Sequence, residues 1–267
     1  MIPIYKTMYL DGEFVDTNRE ISDEGSATYD VLRVVGGIPL FYKAHEDRVN
    51  NSLQRLGYEP RKDMGAVLQQ LIERNELPRV DANVKILAGG NHGLVMAFVP
   101  SRYPSPTQYE QGVRLCTYEM ERSNPEDKVW HEDYKQSIAG LMHEKDVFEV
   151  LLVNAQKLVT EGSQSNVFFI QDRDIITPAT QVLPGITRHY AEMAMKEAGL
   201  TVSKRKIGVA ELSDFDAAFL TGTSLHILPI QSIEGHLYDA QNEVLRQCMQ
   251  SFSKRVEADL RAYKDQL

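Results

Sequence analysis

Cysteine is scarce in this chain. Its 267 residues hold only Cys116 and Cys248, far apart and in no Cys-x-x-Cys pair. A disulfide framework is therefore not expected, and the cytoplasm is the expected compartment. An excess of positive charge is lacking too. The net charge of −9 argues against non-specific binding to nucleic acid or to an anionic membrane. No apolar run is long enough to span a bilayer, and no basic-then-apolar leader opens the chain. The histidines show no metal-ligand spacing, so no metal is expected. Repeats and low-complexity tracts are missing as well.

What remains is ordinary material for a soluble core, 42% apolar and 25% charged. The length suits one large domain or two medium ones. Tyr9 to Val15 reads as a hairpin around Asp11-Gly12, and Tyr29 to Tyr42 as a second around Gly36-Gly37. Helices are expected over Lys43–Leu56, closed by Gly57, and after an Asp63 cap, where Met64, Val67, Leu68, Leu71 and Ile72 follow a 3.6-residue period. Val84–Leu87 and Leu94–Val99 read as strands. Three prolines within Pro100–Pro106 mark the best linker. Beyond it come strands near Val113–Met120, Glu149–Asn154, Asn166–Ile170 and Ala217–Thr221. Helices are expected over Tyr134–Lys145, Thr187–Ala198 and Asn242–Tyr263. Strands and helices alternate without a regular βαβ beat, which predicts an α+β fold in two domains, 1–110 and 111–267.

Four segments carry candidate chemistry. Val159-Thr160-Glu161-Gly162-Ser163-Gln164-Ser165-Asn166-Val167-Phe168 reads as a turn that delivers one carboxylate and several small polar residues into an apolar strand. It is either a solvated surface turn or an inward carboxylate that needs a cationic partner or several donors. Leu183-Pro184-Gly185-Ile186-Thr187-Arg188 opens a helix, whose first N–H groups make an ordinary start or an anion site. Thr221-Gly222-Thr223-Ser224 ends a buried strand in hydroxyls, as a polar turn or a phosphate cradle. Arg48, in His45-x-x-Arg48, lies beside the apolar stripe of its helix and suits an internal carboxylate or a phosphate.

Taken in chain order, 45–48, 159–168, 183–188 and 221–224, the four segments resemble the class IV aminotransferases, the pyridoxal-phosphate enzymes of fold type IV. That family includes branched-chain and D-amino-acid aminotransferases and aminodeoxychorismate lyase. The resemblance spans nearly the whole chain. It implies a small N-terminal domain, a larger C-terminal mixed-sheet domain that binds pyridoxal 5′-phosphate, and a homodimer. It assigns Arg48, the backbone of Ile186 and Thr187, and the Thr223 hydroxyl to the cofactor phosphate. Ser165, Asn166 and Ser224 join the cofactor-binding set, and Leu183 lies on the pyridine ring. Glu161 holds the ring nitrogen protonated, so that the ring drains electron density from the substrate Cα.

The same resemblance requires a Schiff-base lysine a little over thirty residues before the glutamate. Lys128 stands 33 before it (161 − 128) and Lys135 only 26, which favours Lys128 as the catalytic residue. Val129-Trp130-His131-Glu132 departs from the Ser/His-x-Asn pattern common after the family lysine. Tyr29 matches an active-site aromatic, and Arg33, on the same strand face, suits a substrate carboxylate or a structural ion pair. Ala88-Gly89-Gly90-Asn91-His92-Gly93 lacks both arginines of the carboxylate trap in D-amino-acid aminotransferases. Val31 replaces residues that the lyases and the branched-chain enzymes carry. The resemblance thus implies an aminotransferase acting on an amino acid and a 2-oxo acid. The lyase is the alternative, and a catalytically inactive relic that works as a binding protein is a third possibility.

Overall fold

The structure is a computed structural model that describes residues 4–17, 22, 25–76, 81–120 and 132–265, with the backbone alone for 132–135. The described residues form two compact units, 4–102 with 256–265, and 103–120 with 132–255.

The first unit is built on strands β1 (Thr7–Leu10), β2 (Glu13–Asp16), β3 (Thr28–Val35), β4 (Ile38–Pro39), β5 (Ala82–Ala88) and β6 (Leu94–Val99), in the order β2-β1-β6-β5-β3-β4. All pairings are antiparallel. The β1–β2 turn needs positive φ at both Asp11 and Gly12, which explains the Asp-Gly pair. Helices α1 (Tyr42–Arg55) and α2 (Met64–Arg74) cover one face. Their apolar stripes, with Val49, Leu53, Met64, Val67, Leu68 and Leu71, meet alternate residues of β3, β5 and β6, Leu32, Val34, Val84, Ile86, Met96 and Phe98 among them. Asp63 precedes α2 as expected but caps no N–H. Its carboxylate takes the Arg61 guanidinium instead, at 3.0 and 2.7 Å.

The second unit holds α3 (Pro106–Gln111), β7 (Val113–Glu119), α4 (Glu132–Lys145), β8 (Glu149–Val153), β9 (Val159–Gly162), β10 (Asn166–Gln171), β11 (Asp174–Pro178), α5 (Ile186–Glu197), β12 (Val202–Arg205), β13 (Ala217–Gly222), β14 (His226–Ile233), β15 (His236–Leu237) and α6 (Glu243–Lys264). Its nine-stranded sheet runs β12-β11-β10-β13-β14-β7-β8-β9, with β15 on β14. The sheet is mixed: β7 is parallel to both β14 and β8, and β11 to β12. In the β10–β13 register Phe168 faces Phe219, and their rings stack at 4.9 Å. Burying each fully adds about 1.5–3 kcal/mol.

Two local expectations give way to longer-range packing. Pro106 does not continue a linker. It sits in the first turn of α3, where its missing N–H has no intrahelical partner to lose, and Ser105 closes a capping box with Gln108. Tyr109 Oη then donates to the Leu225 carbonyl at 3.0 Å, which fixes α3 to the second unit. Helix α6 is divided between the units. Near its end Asp259 accepts the N–H of Phe41 at 2.7 Å, and Tyr263 packs edge-on against Tyr42, which ties this stretch to the first unit.

Candidate active site

Glu161 is the centre of the candidate site, and it is 1% exposed. It stands on β9 itself rather than in a turn; the turn is Ser163–Ser165, just after it. A carboxylate this deep needs donors. Glu161 Oε2 accepts the Leu183 N–H at 2.8 Å and Asn166 Nδ2 at 3.2 Å. Asn166 Nδ2 also donates to the Leu183 carbonyl at 3.0 Å. One amide thus links the carboxylate, the start of β10 and the loop before α5.

That loop is packed closely. A Cβ on Gly185 would lie 2.1 Å from Asn166 Oδ1, so only glycine allows this approach. Gly185 is the residue before α5 and gives no side-chain cap. The first N–H groups of Ile186 and Thr187 therefore follow a bare helix start, and both residues are buried. Arg188, next along, is structural: it donates to the Pro178 carbonyl and to Glu192, at 2.9 Å each. Across the β10–β13 ladder Asn166 pairs with Thr221. Paired residues share a sheet face. The buried Thr221 hydroxyl has no hydrogen-bond partner among the described residues. Thr223 and Ser224 form the following turn and are half-buried. The second unit therefore brings Glu161, Asn166 and Leu183 together next to the start of α5, with Thr221 across the ladder from Asn166.

Ser165 is buried with its hydroxyl turned to Glu149, donating at 3.0 Å. Arg48 belongs to the first unit and is forked onto Asp30, through Nε to Oδ2 at 2.8 Å and Nη2 to Oδ1 at 2.6 Å. Asp30 is fully buried and also meets His45 Nδ1 at 3.1 Å. Tyr29 and Arg33 share the β3 face opposite Asp30, and Arg33 pairs with Asp81 at 2.7 Å. Lys128 lies outside the described residues, and Lys135 stands in α4.

Sequence reasoning passed over three buried polar residues. Asp30 looked like a strand residue, yet it occupies the fork of Arg48. Lys85 is 7% exposed on β5, opposite Val31, with its Nζ 5.4 Å from the Tyr29 ring. Glu149 opens β8 and is 4% exposed. Only the apolar context of Glu149 hinted at burial. Among the described residues no group of His, Cys, Asp and Glu has metal-site geometry, and no helix is long and apolar enough to cross a membrane.

The family model for class IV amino-transferases matches residues 27–233, which include every site residue above. The chain belongs to the class IV aminotransferase family. A Methanocaldococcus jannaschii protein named provisionally as a branched-chain-amino-acid aminotransferase is 25% identical over 260 positions, spanning 86% of this chain and 88% of its own. The D-alanine aminotransferase of Bacillus licheniformis is 26% identical, over 79% of this chain and 80% of its own. The crystal structure of Escherichia coli branched-chain amino acid aminotransferase superposes with a TM-score of 0.82, covering 96% of both chains at 18% identity. Class IV aminotransferases use pyridoxal 5′-phosphate, and the residues present in this class IV chain fit that group. A buried carboxylate suits a protonated ring nitrogen, and the helix start behind Gly185 and the hydroxyls of Thr221–Ser224 suit phosphate oxygens.

Proposed function

We propose that this chain is a pyridoxal-phosphate-dependent aminotransferase that moves an amino group between an amino acid and a 2-oxo acid. The observation that carries the reading is Glu161. Its buried carboxylate is held by an amide and a backbone N–H, beside a helix start and a hydroxyl-rich turn. Bound pyridoxal phosphate supplies an aldehyde carbon that bonds amines and a ring that withdraws electrons from the substrate Cα.

The protein's own groups then have separate tasks. Glu161 would keep a proton on the ring nitrogen, because a buried carboxylate favours a nearby cation. Asn166 and the Leu183 N–H hold that carboxylate in one orientation. The N–H groups of Ile186 and Thr187, with the hydroxyls of Thr223 and Ser224, would hold the phosphate, and Leu183 would offer the ring an apolar side chain. Arg48, in the first unit, has its charge met by Asp30 through Nε and Nη2. Lys128 would be the lysine that holds the cofactor aldehyde and that carries the proton at the substrate Cα. Tyr29 and Arg33 are the proposed substrate residues, and Arg33 would have to release Asp81 to take a substrate carboxylate. The second unit is the cofactor-binding one, and the working form is a cytoplasmic homodimer.

The test mixes cofactor-loaded protein with a panel of L- and D-amino acids and follows the visible absorbance band. Conversion to the aminated cofactor, abolished in Lys128→Ala and kept in Lys135→Ala, is the expected result. No conversion with any amino acid, together with release of pyruvate and 4-aminobenzoate from aminodeoxychorismate, overturns it in favour of the lyase. Protein that takes up no cofactor overturns both enzyme readings.

A further inference from the structure

Glu149 is a buried carboxylate for which the mechanism above has no use. All four of its hydrogen bonds come from its own strand or from the turn after Glu161. Oε1 accepts the Val150 N–H at 2.8 Å and the Ser163 hydroxyl at 2.5 Å. Oε2 accepts the Gln164 N–H at 3.2 Å and the Ser165 hydroxyl at 3.0 Å. Each oxygen takes two donors, an arrangement that suits an ionised carboxylate. Among the described residues no cation pairs with it. Burial raises its pKa on balance, and the four donors offset only part of that rise.

A turn of three residues does not need an unpaired buried charge to hold its shape; serine hydroxyls and backbone bonds suffice in most turns. The placement of this one suggests why it is kept. Ser163 N–H also donates to the Val150 carbonyl at 2.9 Å, and Gly162 N–H to the Ser165 carbonyl at 2.8 Å. A Cβ on Gly162 would lie 2.0 Å from Ser165 Oγ, so the turn closes directly onto β9. Glu161 immediately precedes this closed turn, and Asn166 immediately follows it. Those two side chains meet at 3.2 Å. Whatever sets the 163–165 turn therefore sets the distance between the ring-nitrogen carboxylate and the amide that orients it.

We propose that Glu149 is a positioning residue for catalysis, locking the Ser163–Ser165 turn so that Asn166 holds Glu161 in its working orientation. The inference rests on the aminotransferase reading. Glu149 touches neither cofactor nor substrate and acts through Ser165 and Asn166. In Glu149→Gln the shape is kept, but an NH2 replaces one oxygen. Whichever way the amide turns, that NH2 faces either the Gln164 or the Val150 N–H, and two donors repel. The turn must then shift, and Glu161 with it.

The experiment compares wild type and Glu149→Gln by thermal unfolding, by titrating each apo-protein with pyridoxal phosphate, and by kcat and KM. A shift of this kind is expected to lower kcat about a hundredfold per folded molecule, with KM for the amino donor nearly unchanged. Cofactor affinity should fall about tenfold, the effect of weakening one hydrogen bond to a charged group. An altered absorption band of the bound cofactor should accompany both. A variant that merely unfolds at lower temperature, with wild-type affinity, spectrum and kcat, overturns the inference and leaves the aminotransferase reading standing. Wild-type protein that binds no pyridoxal phosphate overturns both, and that result is visible without any variant. If Glu149→Gln does not fold, Ser163→Ala decides, since it removes one donor and leaves the charge. A fall in kcat of about threefold to tenfold supports the inference, and an unchanged kcat overturns it.

Discussion

Gly185→Ala isolates the tightest contact of the candidate site. The backbone of Gly185, at φ −64° and ψ 135°, suits any residue, so alanine brings no conformational strain. In an open site the substitution would stabilise by about 0.4–1 kcal/mol, by restricting the unfolded chain. Here the new Cβ would lie 2.1 Å from Asn166 Oδ1 and 3.5 Å from Arg188 Cβ. The Asn166 amide has to move, and it carries two buried hydrogen bonds, to Glu161 at 3.2 Å and to the Leu183 carbonyl at 3.0 Å. Losing one bond to a charged group and one neutral bond costs about 2–4 kcal/mol. Net of the entropic gain, destabilisation of about 2 kcal/mol is expected, a fall of about 4–8 °C in the unfolding midpoint. Differential scanning calorimetry reads it, with Gly140→Ala as the control. Gly140 lies in α4 with nothing near its would-be Cβ, so alanine there should stabilise by about 0.5–1 kcal/mol. If Gly185→Ala stabilises as much as the control, the Asn166 amide is not held as described and the reasoning fails.

Asp30→Asn should destabilise the protein by about 3 kcal/mol in urea unfolding, because it strips a buried partner from Arg48 and His45. An unchanged midpoint would mean that Arg48 has water or another anion at hand. The pH dependence of stability should differ between wild type and Glu149→Gln. The folded-state pKa of Glu149 lies above its unfolded value, so its contribution is fully present below the ordinary carboxylate range and is lost as pH rises through the raised pKa. Wild-type stability, measured against the variant, should therefore decline across that window; a pH-independent difference would contradict the assignment. Cys248 is fully buried on α6, and its thiol is pushed up to about 12. It should resist a thiol reagent in native protein and react on unfolding, and rapid native-state labelling of Cys248 would show that this part of α6 opens.

Much of this protein was legible without coordinates where the signal was local. Asp11-Gly12 and Gly36-Gly37 demanded turns that few other residues allow, and the 3.6-residue period of Met64 to Ile72 located α2. The ordered polar segments at 45–48, 159–168, 183–188 and 221–224 were enough to suggest the family. Only through that resemblance did Glu161 gain an inward role; its own segment left a solvated turn equally open. Tertiary structure decided what depends on residues distant in sequence. Pro106 belongs to α3 because Tyr109 reaches Leu225, and α6 is divided because Asp259 meets Phe41. Arg48 faces a carboxylate 18 residues earlier, and Glu149 gathers donors up to 16 residues away. Periodicity reports which side of an element is apolar. It carries no information on which buried polar group on that side meets which partner, since that depends on sheet order and register, and those are settled only when the whole core packs.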